Sequence, residues 1–95
     1  MSLRKPWQPL ERETIRGVPD RYGLYEVGDG EGTSLGVAIG PLQDELRELL
    51  AYGLPTSFHR SPEADAAGEP TQVRWELATS KTHAEKLLER HRPSK

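Results

Sequence analysis

Apolar and polar positions along this chain change their period several times, and each change marks an element. Tyr22-Gly23-Leu24-Tyr25-Glu26-Val27 and Leu35-Gly36-Val37-Ala38-Ile39-Gly40 are two short apolar runs. Gly28-Asp29-Gly30-Glu31-Gly32 lies between them. Apolar runs around a turn of Gly and acidic residues predict a β-hairpin, because Gly supplies the backbone angles a tight return needs. In the second run Leu35, Val37 and Ile39 alternate with Gly36, Ala38 and Gly40. One face is therefore branched and apolar, and the other is nearly bare. Something must approach that bare face closely: a helix, an aromatic residue of another segment, or a ligand.

The period then switches. From Pro41 to about Tyr52, Leu42, Leu46, Leu49 and Leu50 fall at i, i+4, i+7 and i+8, which predicts a helix with one apolar stripe. Gly53 and Pro55 mark its end. Residues 54–70 hold three prolines and no period, and predict a long irregular loop. Within it, Ala64 to Gly68 reads as flexible and Phe58-His59-Arg60 as a docking patch. Thr71 to Thr79 predicts a strand, with Val73, Trp75 and Leu77 on one face and Arg74 and Glu76 on the other. A last helix follows, capped at Ser80 or Thr82. Thr82 and Glu85 have capping-box spacing, and Ala84, Leu87, Leu88 and His91 form the inward face. Ahead of the hairpin, residues 1–8 predict an arm whose Trp7 packs on the domain. A short helix from Pro9 or Leu10 runs through about Arg16 and is stopped by Gly17, Val18 and Pro19. The order is α-β-β-α-β-α, an α+β domain with a three-stranded sheet and helices covering one side. Residues 1–16 form the arm and short helix, and residues 17–95 a single domain.

Composition narrows the function. The chain has 95 residues, 34% of them hydrophobic and 29% charged, enough for one modest core. It has no cysteine, which excludes disulfides, thiolate metal sites and a cysteine nucleophile. No window approaches the roughly 20 apolar residues that span a bilayer, so the expectation is a cytoplasmic protein with no membrane contact. Residues 1–25 carry five basic and three acidic groups, residues 26–69 two basic and nine acidic, and residues 80–95 five basic and two acidic. Lys81, Lys86, Arg90 and Arg92 are thus candidates for nucleic-acid contact, against the plainer reading that cations collect near a helix C-terminus. The Gly28–Gly32 turn lacks the Lys-Ser/Thr ending of a phosphate loop.

Gly23-Leu24-Tyr25 resembles the first signature of the GIY-YIG nuclease family, and Ala38-Ile39-Gly40 sits where the second belongs. The order of elements over residues 17–93 fits the same plan. The Trp-containing arm and Val73-Arg74-Trp75 are also similar to small haloarchaeal GIY-YIG-like proteins. The resemblance implies a three-stranded GIY-YIG-like fold and metal-dependent phosphodiester cleavage. Tyr25 would serve as the phenol, Arg47 would neutralise phosphate, and Glu85 would hold a divalent cation such as Mg²⁺. The second signature Tyr is replaced by Ala38, so the expected function is that of a degenerate domain that no longer cuts, needs no cofactor, and keeps nucleic-acid or protein binding. An active divalent-metal nuclease and a protein-interaction module are the alternatives. Each candidate also has a structural reading: Tyr25 as packing, Arg47 paired with Asp44, and Glu85 in the capping box.

Overall fold

The computed structural model describes residues 6–55, 58–62, 64 and 67–91. Its elements in chain order are β1 (Gln8–Pro9), α1 (Arg12–Arg16), β2 (Tyr22–Gly28), β3 (Ser34–Pro41), α2 (Leu42–Tyr52), β4 (His59–Arg60), β5 (Gln72–Leu77) and α3 (Lys81–His91). The class is α+β with an antiparallel sheet. The sheet has five strands rather than three, in the order β1-β5-β2-β3-β4. The two additions are two-residue edge strands. β1 pairs Gln8 with Val73, and β4 pairs His59 with Val37. Neither is long enough to carry a period of its own. Pro9 is in β1, and the first helix begins only at Arg12.

The central hairpin forms as its pattern dictates, with Tyr25 opposite Ala38 and Leu24 opposite Ile39. The register slips between Val27 and Gly28, so that Gly36 faces Val27 and Ser34 faces Gly28. Leu35 is the extra residue. This bulge turns Leu35 away from the side of Val37 and onto that of Tyr25 and Val27. Strict alternation would have kept Leu35 with Val37.

The helices cover both faces of the sheet, not one. On one side α2 packs Leu42, Leu46 and Leu49 onto Tyr25, Val27, Ala38 and Val73, with Ile15 of α1, Val18 and Phe58 completing the cluster. On the other side α3 packs Ala84, Leu87 and Leu88 onto Leu24 and Val37. Each fully buried leucine contributes roughly 1.5–3 kcal/mol. Leu50, at the edge of the α2 stripe, stays 43% exposed. α2 has no side-chain cap, but the Leu42 N–H donates to the Arg21 carbonyl at 2.8 Å. Gly53 ends it at φ 89°, its N–H bonded to the Leu49 carbonyl. The α3 cap is Ser80, not Thr82. Ser80 Oγ accepts from the His83 N–H at 3.1 Å, and His83 Nδ1 accepts from the Thr79 N–H at 2.9 Å. His83 therefore occupies the position a Glu holds in a capping box, though it reaches back to the N–H of Thr79, one residue before the cap, and Glu85 lies two residues further on, exposed.

Charged groups complete the α3 side. Glu26 is 1% exposed and accepts from Arg74 Nε at 2.7 Å. The Arg74 guanidinium lies 4.0 Å from the centre of the Trp7 ring. A Cβ on Gly28 would meet that ring at 2.6 Å, so the arm is seated where β2 offers no side chain. Arg74 and Glu76 lie on the strand face opposite Val73, as the alternation predicts. That face is covered, with Glu26 neutralising Arg74 and His91 approaching Glu76 at 3.9 Å.

The 54–70 segment is more structured than its composition implies. Ser61 N–H donates to the Leu35 carbonyl, Gly68 N–H to Asp29 Oδ2 at 2.9 Å, and Ala64 is buried. Residues 65 and 66, within the stretch read as flexible, lie outside the described residues. Phe58, read as part of a docking patch, is in the core because β4 turns its ring under the sheet. No helix among the described residues is long and apolar enough to cross a membrane.

Candidate functional site

The hairpin presents Tyr25 and the small residues Gly36, Ala38 and Gly40 on the α2 side. Tyr25 is 0% exposed. Its hydroxyl donates to Glu45 Oε1 at 3.0 Å. Glu45 falls three residues after Leu42 and one before Leu46, so it stands on the inward edge of α2. It reaches the phenol because Gly40 has no side chain: a Cβ there would lie 2.6 Å from Glu45 Cγ. At the other end of the bare face, a Cβ on Gly36 would collide with the His59 carbonyl and stand 2.7 Å from Phe58 Cε2. The Phe58 ring also sits against Tyr25, with centroids 6.5 Å apart. The face that the sequence leaves bare is filled by the chain itself, with Glu45 over Gly40, Phe58 under Gly36 and the Tyr25 ring opposite Ala38.

This environment sets the chemistry of the phenol. Burial, and then the charge and hydrogen bond of Glu45 with a further push from Glu48, raise the Tyr25 pKa far above its ordinary value of 10.0. Low-dielectric surroundings disfavour phenolate, and donation to a carboxylate holds the proton in place. A phenol serving as base or nucleophile needs an accessible oxygen and a pKa tuned towards neutrality. Tyr25 has neither.

The other residues that the GIY-YIG resemblance singles out do not gather around it. Arg47 is two positions from Glu45 on α2, about 200° round the helix, and points outward. Its side chain is 66% exposed and approaches Asp44 at 3.9 Å. Glu85 is on the exposed side of α3, and α3 packs on the face of the sheet opposite Tyr25. The sheet stands between the phenol and the carboxylate. Among the described residues no three His, Asp or Glu side chains gather in a way that could hold a metal ion. The residues named for an Mg²⁺ site thus do not fit one. Lys81, Lys86 and Arg90 are exposed on α3, interleaved with Glu85 and Glu89, so that side is of mixed charge. Arg92 lies outside the described residues.

Two groupings are absent from the sequence reading. One is Tyr25 with Glu45 and Phe58. The spacing of Glu45 within the Leu42, Leu46, Leu49 stripe is the signal that points to it, since a Glu there needs a buried partner. The other is a groove of about 540 Å³ between α1 and α2, bordered by Arg12, Arg16 and Arg47 with Ile15, Leu50 and Ala51 between them. No period links α1 to α2, and only their packing brings these arginines together.

No curated protein and no solved structure matches the chain. The family described as a domain of unknown function (DUF7508) matches residues 1–94. A match over that span makes the chain a member of this family.

Proposed function

We propose that this chain is a GIY-YIG-like domain that has exchanged cleavage for binding. The observation that carries the reading is the filled face of the hairpin. Where the family places a second Tyr, this chain has Ala38, and the remaining phenol of Tyr25 is buried and committed to Glu45. The separation of Glu85 from Tyr25 across the sheet supports the same reading. A domain built this way keeps the hairpin as a rigid platform and offers its outer surfaces to a partner.

The test is a cleavage assay. The purified protein is incubated with single- and double-stranded DNA and with RNA, in Mg²⁺ or Mn²⁺. The expected result is no strand scission above that of Tyr25→Phe and Glu85→Ala variants. Metal-dependent scission that either substitution abolishes overturns the reading and restores the nuclease. Binding to the same nucleic acids is measured across a salt series, where contact through phosphates gives affinity that falls steeply as salt rises.

A further inference from the structure

The groove between α1 and α2 lies on the outer side of α2, away from Tyr25. Arg12 and Arg16 are one turn apart on α1, and Arg47 faces them from α2. Among the described residues the side chains of Arg12 and Arg16 make no ion pair or hydrogen bond. Arg47 has only its long, exposed approach to Asp44, which water and salt screen. Three guanidinium groups therefore border one groove with little internal neutralisation. Its floor is apolar. Leu50 is a large hydrophobic residue left 43% exposed, with Ile15 and Ala51 beside it. Gln43 fixes one wall by donating to the Val18 carbonyl at 3.4 Å.

We propose that this groove docks an acidic amphipathic segment of a protein partner. An apolar side chain of the segment would cover Leu50 and Ala51, and its carboxylates would pair with Arg12, Arg16 and Arg47. Arginines around an exposed apolar anchor make the kind of surface on which a few contacts carry most of the binding. Carboxylates match the guanidinium fork in pairs, which gives the segment its register. A nucleic-acid strand fits less well. Asp44 and Glu48 flank Arg47 along α2 and repel a continuous phosphate backbone, and none of the described residues lining the groove is aromatic, since the exposed Tyr52 ring stands with those two acids on the neighbouring side of Arg47. A short segment can place its carboxylates selectively and avoid those acids. The proposal names the partner class for the binding role above and rests on that role, not on the chemistry of the hairpin.

The probe is a fluorescein-labelled peptide of about 12 residues, close to the shortest length that forms a helix alone. It carries Leu at i and i+4 with Glu at the flanking positions, and anisotropy reports its binding to the whole chain. The expected result is saturable binding that Arg12→Glu with Arg16→Glu weakens at least tenfold, and that Leu50→Ser also weakens. Arg12→Gln with Arg16→Gln, a milder change at exposed positions, should weaken it in the same direction with an unchanged urea midpoint. Absence of saturable binding, or binding that these substitutions leave untouched, overturns the proposal. So does tighter, Arg12- and Arg16-dependent binding of an oligothymidylate in place of the peptide. Cleavage is read in a separate assay, so a peptide that fails to bind removes this partner class without restoring a nuclease.

Discussion

Gly36→Ala tests whether the small-residue face of β3 is filled. In the structure a Cβ at this position meets the His59 carbonyl, Phe58 Cε2 at 2.7 Å and the Arg60 Cα at 2.9 Å. Two of the three are backbone atoms of β4, so the obstruction cannot swing aside as a side chain would. Overpacking of this kind costs about 1–3 kcal/mol. Gly36 also sits at φ 144°, a region L-residues avoid, which adds about 1–3 kcal/mol. The expected loss is therefore roughly 2–6 kcal/mol, a large share of the 5–15 kcal/mol typical of a domain. Urea unfolding followed by tryptophan fluorescence measures it, and at a slope of about 1–3 kcal/mol per molar the midpoint should fall by about 0.7 M or more. Two other glycines separate the contributions. Gly53 has φ 89° but nothing within 4 Å of a Cβ, so Gly53→Ala reports the backbone cost alone. Gly30 has neither positive φ nor a close neighbour, and Gly30→Ala should leave stability unchanged or slightly raised. If Gly36→Ala costs no more than Gly53→Ala, the face is open and the reasoning fails.

The buried Glu26–Arg74 pair gives a second expectation. Glu26→Ala leaves Arg74 without its closest counter-charge and should cost about 3–5 kcal/mol, whereas Glu26→Leu with Arg74→Met should recover most of that loss. Urea midpoints decide between them, and a loss below about 1 kcal/mol for Glu26→Ala contradicts the buried-pair account. Asp29 gives a pH dependence. The N–H groups of Gly68, Thr33 and Glu31 bond its carboxylate and hold its pKa below the ordinary 3.8. A lowered folded pKa means that its stabilisation is present above pH 3.8 and is lost as pH falls through the folded value. The thermal midpoint of the wild type should drop more steeply in that acid range than that of Asp29→Asn, and parallel curves contradict the assignment.

Most of the fold is legible in the sequence because its periods are strong. The α2 stripe, the central strands and the inward side of α3 form from residues whose spacing dictates them. Three features escape the periods, each for a physical reason. Leu35 follows the alternation in sequence but leaves it in space, since a bulge inserts one residue and flips the face. The pairing of Arg74 is hidden because its partner Glu26 is 48 residues away in sequence, on a different strand. β1 and β4 have two residues each, too few to show a pattern, and they form because the edges of β5 and β3 offer unpaired backbone groups. The candidate site divides in the same way. Tyr25 and Ala38 are readable as a hairpin pair. That Glu45 and Phe58 close over them depends on α2 and the following segment returning to the same face, which no local signal encodes.

The most direct measurement of the sealed face is a spectrophotometric titration of the tyrosines. The chain has three, of which Tyr52 is exposed, Tyr22 half-buried and Tyr25 buried against Glu45. Phenolate absorbance near 295 nm, with pH raised through about 10 on folded protein, counts the groups that ionise. The account requires Tyr25 to stay protonated until the protein unfolds, so that Tyr25→Phe leaves the folded-state curve unchanged. A reversible ionisation in the folded state that Tyr25→Phe removes would contradict it.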